Sequence, residues 1–211
     1  MDEKGEVTIE PPKANVLLVD DKAENLLALD AVLSDLNQNL VQATSAREAL
    51  RHLLLEDFAL ILLDVQMPGL SGLDLQRELA QHGRPIPIVF TTGHGDIPMT
   101  VEAMKAGAIG FLSKPFRNQD MIDAIKEGIA RDREARKKLD EVAELRTRYD
   151  SLTAREREVF ALVARGLLNK QIALELGTSE RTIKAHRAQV VQKMHADSVA
   201  DLVRMADKLA V

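Results

Sequence analysis

Five short apolar runs recur through the first 113 residues, at Asn15–Val19, Leu40–Ala43, Ala59–Leu63, Ile86–Thr91 and Ile109–Leu112. Runs of this length suit strands better than helices. The stretches between them carry helix starts. Ser45 with Glu48 has the spacing of a capping box, Ser71 with Asp74 resembles one, and Asp96 is placed to cap a helix with Pro98 in its first turn. Strands alternating with helices at this spacing predict an α/β domain: a five-stranded parallel sheet with helices on both faces.

In open parallel sheets, ligands bind at the carboxyl ends of the strands. Asp20 and Asp21 close the first run and Asp64 closes the third. Thr92 follows the fourth run, and Lys114 follows the fifth, ahead of Pro115. Three carboxylates brought together repel unless a hard divalent cation sits among them, and an open set of oxygen ligands suits Mg²⁺. The set matches what an acyl phosphate requires. One carboxylate attacks phosphorus, a metal and an ammonium neutralise the equatorial oxygens, and a hydroxyl bonds the transferred group. A single strand-end aspartate is more often a cap or loop residue; five matching groups at the strand ends are hard to assign to capping.

From Asn118 the pattern is helical, with Met121, Ile122, Ile125 and Ile129 on one face and only Gly128 interrupting. The charge-dense stretch Arg131–Lys138 follows, then Leu139, Val142 and Leu145, before the next start signal at Thr153 and Glu156. Residues 131–149 read as a linker helix. Its short apolar stripe leaves two readings open, a solvated spacer or a dimerising, signal-passing helix. Beyond it, four short helices are predicted at 154–165, 170–176, 180–194 and 199–210, with turns at Gly166, Gly177 and the Ala196–Asp197 region.

Residues 169–194 have the form of a helix-turn-helix. Asn169 is placed to cap the first helix and Ser179 the second, with Gly177 at the turn. Ile172, Ala173 and Leu176 are expected to face inward, as are Ile183, Val190 and Met194. The opposite face carries Arg181, Thr182, Lys184, Ala185, Ala188 and Gln189, able to reach base edges or phosphates. The net charge of −5 argues against nucleic acid, but its distribution does not. Residues 13–130 hold 10 basic and 16 acidic side chains, 131–149 hold 7 and 5, and 150–211 hold 10 and 8. The sign reverses near residue 130, as expected for two modules with different tasks. A solvated basic face on a small helical bundle is the competing reading.

The pieces VDD (19–21), DVQMPGLSG (64–72), TTG (91–93) and KPF (114–116) resemble the receiver domain of bacterial two-component systems, and residues 92–116 resemble its FixJ-type subgroup. Residues 151–206, with SLTAREREVF (151–160) and GLLNKQIALELGTSERTIKAHRAQVVQKM (166–194), resemble the LuxR-type (FixJ/NarL) output domain. The resemblance implies a flavodoxin-like sheet in the order 2-1-3-4-5, then a four-helix DNA-binding domain. It implies that Asp64 accepts phosphate from a sensor histidine kinase. Asp20, Asp21, Asp64 and the backbone carbonyl of Gln66 would hold Mg²⁺, Asp20 through water. Thr92 would be the switch hydroxyl, Lys114 the phosphate-contacting cation and Phe111 the rotating aromatic. Lys184 and Ala185 would lie in the major groove, with Asn169, Lys170, Thr182, Arg187 and Lys193 at phosphates. Gln66 stands where the family often has Asn, which bears only on the rate of dephosphorylation.

The expected organisation is a disordered lead (1–12), a receiver (13–130), the linker helix (131–149) and the DNA-binding domain (150–211). The expected protein is cytoplasmic, dimerises when phosphorylated, binds double-stranded promoter DNA and works with RNA polymerase, more as an activator than a repressor. It has no catalytic residues of its own. Cysteine is absent, which excludes disulfides and thiolate metal sites, and no apolar run approaches a membrane span. A phosphohydrolase would need a second acid two residues after Asp64, where Gln66 stands. A ligand-sensing LuxR-type regulator would show an aromatic-lined pocket instead of an acidic strand-end cluster. Aromatic residues make up only 3%, which argues against single-strand binding by base stacking. An RNA- or protein-directed output would leave the match at 151–206 unexplained.

Overall fold

The structure, a computed structural model, describes residues 12–81, 86–93 and 97–211. The expected lead before residue 12 and the expected cap Asp96 lie outside them. The chain divides into two compact units between Glu134 and Ala135.

The first unit holds β1 (Asn15–Val19), β2 (Asn39–Ala43), β3 (Leu60–Asp64), β4 (Ile88–Thr92) and β5 (Gly110–Ser113). They form one sheet in the order β2-β1-β3-β4-β5, with every pairing parallel. The crossovers contain α1 (Ala23–Leu33), α2 (Ala46–Leu55), α3 (Gly72–Gln81) and α4 (Ile97–Lys105), and α5 (Asn118–Asp150) follows β5. Strand side chains alternate between faces. Leu17, Val19, Ile61, Leu63 and Phe90 pack with Ala46, Ala49, Leu75 and Ala103 on one side. Val16, Leu18, Leu60, Leu62 and Val89 pack with Leu26, Leu29, Leu33, Met121 and Ile125 on the other. A sheet covered on both faces explains why its strands read as unbroken apolar runs.

Gly128 interrupts the helical pattern of α5 for a packing reason. A Cβ there would overlap the Leu60 side chain and press on Ile109. The Ser71–Asp74 pair closes reciprocally: the Ser71 N–H reaches Asp74 Oδ2 at 3.2 Å and the Asp74 N–H reaches Ser71 Oγ at 3.2 Å. The Ser45–Glu48 pair does so only by half. Ser45 accepts from the Glu48 N–H at 3.2 Å, but Glu48 Oε2 accepts from the N–H and hydroxyl of Thr44 at 2.7 and 2.8 Å.

In the second unit α6 (Ala154–Ala164), α7 (Asn169–Glu175), α8 (Glu180–Met194) and α9 (Val199–Leu209) enclose a core of Val159, Phe160, Val163, Ile172, Ile183 and Val190. That core also takes in Leu145 and Tyr149, so the segment read as linker supplies part of it. Leu139 and Val142 stay exposed, at 56% and 40%. Thr153 and Glu156 form a full capping box at the start of α6. Asn169 does not cap α7. Leu168 takes that position, and its N–H donates to Gln171 Oε1 at 2.8 Å, which leaves the Asn169 side chain for another partner. Gly166 and Gly177 adopt φ of 84° and 61°, the left-handed backbone that favours glycine at helix ends.

Candidate functional site

The parallel registers bring the expected groups to one end of the sheet. Asp64 is the last residue of β3 and stands opposite Thr91 of β4, while Thr92 stands opposite Ser113 of β5. Asp64 and Thr92 are thus the final residues of their strands, where they are nearly sealed, at 6% and 0% exposure. Carboxylate oxygens of Asp20, Asp21 and Asp64 lie within 4.8 Å of one another. Lys114 reaches in from beyond β5, with Nζ 2.7 Å from Asp20 Oδ2 and 3.5 Å from Asp64 Oδ1.

Burial pushes the Asp64 carboxyl above the usual carboxylate range; Asp20 and Asp21 add repulsion, and Lys114 opposes both. Asp64 Oδ1 is buried without a hydrogen-bond partner. An orphaned oxygen among crowded carboxylates fits a hard cation, so the residues present suit Mg²⁺. Gln66 is exposed just past β3. Phe111 on β5 is half-buried, and its ring centroid lies 6.3 Å from that of Phe90. On α3, Gln76 is buried and donates to the carbonyls of Ala103 and Ala106 at 3.2 Å each. Sequence reasoning passed over Gln76, since a glutamine in a helix gives no sign of a partner 27 residues away.

In the second unit the outward face of α8 presents Arg181, Thr182, Lys184, Ala185, Ala188 and Gln189, all exposed, while Ile183, Val190 and Met194 are fully buried. Ser179 caps α8, accepting from the Thr182 N–H at 3.2 Å. Lys170 is exposed on α7. Arg187 Nη1 donates to Asn169 Oδ1 at 2.7 Å, tying α8 to the first residue of α7. Arg155 Nη2 donates to the Leu176 carbonyl at 2.6 Å and so fixes the turn between α7 and α8.

Lys193 departs from expectation. Its Nζ lies 2.7 Å from Oε2 of the buried Glu156 instead of standing free for phosphate. The Lys193 ammonium and the Thr153 N–H hold the Glu156 carboxyl below the usual range. A depressed carboxyl contributes stability above its unfolded pKa, and this is lost as pH falls through the folded value. Lys193→Ala should therefore cost the second unit about 1.5–3 kcal/mol at neutral pH, as for a charged hydrogen bond. Glu156→Gln should flatten its loss of stability in acid. Calorimetry from neutral to acidic pH checks both, and an unchanged acid limb in Glu156→Gln would refute the assignment.

A doubly covered parallel sheet with this cluster, followed by four helices that expose a basic recognition-type face, defines a receiver joined to a helix-turn-helix output domain. Residues 16–126 match the response regulator receiver domain, and residues 150–206 match the bacterial regulatory proteins of the luxR family. The chain is 47% identical to Nodulation protein W of Bradyrhizobium diazoefficiens, over 94% of its own length and 88% of that protein's. It is 40% identical to the transcriptional regulatory protein FixJ of Azorhizobium caulinodans, over 93% of each. Among solved structures, the response regulator StyR superposes with a TM-score of 0.81 at 42% identity, covering 93% of this chain and all of that one. The chain belongs to the two-component response regulators with a LuxR-type DNA-binding domain. Among the described residues no helix is long and apolar enough to cross a membrane.

Proposed function

We propose that this protein accepts phosphate on Asp64 from a sensor histidine kinase, dimerises when phosphorylated and then binds promoter DNA to activate transcription with RNA polymerase. The observation that carries the reading is the orphaned, buried Asp64 oxygen facing Lys114 beside Asp20 and Asp21. The Asp64 carboxylate attacks phosphorus, an O–P bond forms, and the donor's N–P bond breaks with its electron pair returning to the imidazole. Lys114 Nζ neutralises charge on the transferred group, and Thr92 at the end of β4 supplies the switch hydroxyl. Asp21, Asp64 and the Gln66 carbonyl would hold Mg²⁺ directly and Asp20 through water; bound there, the ion neutralises charge on the phosphoryl oxygens. The Phe111 ring is the element proposed to turn inward afterwards. With the amide of Gln66 two residues after Asp64, the site suits a phosphate receiver rather than a hydrolase.

In this reading residues 13–130 receive the signal, 131–149 pass it on and 150–211 read DNA in the cytoplasm. Footprinting on genomic fragments with and without acetyl phosphate and Mg²⁺ tests the whole scheme, and in vitro transcription tests the sign. Protection that ignores the phosphodonor would reject phosphate control. On a specific operator, Lys184→Ala should relax preference at one base position by about 1–3 kcal/mol. Lys170→Ala and Arg187→Ala should weaken all sequences alike and each lower the salt slope by about one. Equal affinity and slope in all three variants would reduce this face to a solvated surface.

A further inference from the structure

The three carboxylates of the cluster are not equivalent acceptors. Asp20 Oδ1 accepts from the Lys22 N–H at 3.0 Å and from Asn25 Nδ2 at 2.8 Å. Its Oδ2 accepts from Asn25 Nδ2 at 2.9 Å and from Lys114 Nζ at 2.7 Å. A carboxylate offers about four lone-pair sites, and Asp20, at 1% exposure, has four N–H contacts. Asp64 Oδ1 accepts no hydrogen bond, with only the Lys114 ammonium near it at 3.5 Å, and among the described residues no hydrogen bond reaches the Asp21 carboxylate. Asn25 stands in the first turn of α1, half-buried, with its amide across both oxygens of Asp20.

We propose that Asn25 sets the metal preference of the cluster: by occupying both oxygens of Asp20 it keeps that carboxylate from bonding a cation directly. The inference rests on the reading of the cluster as a divalent-cation site. Mg²⁺ is small, keeps several of its waters and is usually held by one or two carboxylates, whereas Ca²⁺ takes six to eight oxygens and gains from each further carboxylate. Holding Asp20 back therefore disfavours Ca²⁺ more than Mg²⁺. Asn25 is a positioning residue here, acting through Asp20.

Titration calorimetry of the full-length protein with Mg²⁺ and with Ca²⁺ tests this, using Asn25→Leu, which keeps the bulk and loses the donor, and Asn25→Asp, which adds a carboxylate. In Asn25→Leu, Ca²⁺ affinity should rise about tenfold and Mg²⁺ affinity less, narrowing the wild-type preference for Mg²⁺. In Asn25→Asp both affinities should rise, Ca²⁺ the more. A purely structural Asn25 would lower the melting temperature and leave the ratio of the two affinities where it was. An unchanged ratio in both variants, each folded by circular dichroism, overturns the proposal while leaving the cation site standing. Absence of binding by the wild-type protein overturns the site and the proposal together.

Discussion

Asp64→Asn is expected to abolish labelling by acetyl phosphate in Mg²⁺ while the receiver unit stays folded. The amide keeps the shape of the side chain but has no anionic oxygen to attack phosphorus. The groups that would serve the attack, Lys114 and the Asp20–Asp21 pair, are left in place. The same variant should melt higher than the wild-type protein in chelator at neutral pH. Burial and two neighbouring carboxylates hold the Asp64 carboxyl above its ordinary range, so the fold favours its neutral form. Stability from such a group is full below its unfolded pKa and is lost as pH rises through the folded value. At neutral pH the charge opposes folding, and the amide removes it. Stoichiometric labelling of the variant, read by mass spectrometry, would move the nucleophile elsewhere. A lower melting temperature in chelator would show that the crowding is relieved in some other way.

Gly72→Ala is expected to cripple the same site without touching a functional side chain. Gly72 opens α3 just beyond the Asp64 loop, and its N–H donates to the Val65 carbonyl at 3.1 Å. A Cβ on Gly72 would run into the backbone oxygen of Asp64 and lie 3.1 Å from Val65 Cα. Both obstacles are backbone, so no rotamer change relieves them, and the end of β3 must shift. Overpacking of this kind costs about 1–3 kcal/mol. A displacement near 1 Å at the proposed nucleophile would lower the transfer rate about 10²-fold. Phosphotransfer kinetics and thermal melts read the two effects separately. A variant with the wild-type rate would mean the loop absorbs the methyl group at no cost to Asp64.

Much of the receiver was legible because its signals are local. The five apolar runs gave strands displaced by at most two residues, and the polar residues just after them became the strand-end cluster. Resemblance supplied the sheet order, which apolar runs alone do not contain. The losses fall where the deciding contact is distant in sequence. Lys193 looked like one more cation on a basic helix, and only packing of α6 against α8 shows that Glu156, 37 residues earlier, holds it. Asn169 looked like a cap by residue type, but the backbone used Gln171 and left Asn169 to Arg187. Asn25 gave no signal, because nothing in the first turn of a helix announces that an amide will reach a carboxylate five residues back.

The composition and the second core together give the protein a built-in optical probe. It has no tryptophan and a single tyrosine. That tyrosine, Tyr149, lies near the end of α5, edge-on to Phe160 with ring centroids 5.5 Å apart, and the guanidinium groups of Arg146 and Arg157 stand over its ring at 5.6 and 5.4 Å. Tyrosine fluorescence therefore comes from one position in the DNA-binding unit, while the receiver unit holds only weakly emitting phenylalanines. A change in emission when Asp64 is phosphorylated would register, without any label, the arrival of the receiver's signal at the far end of α5.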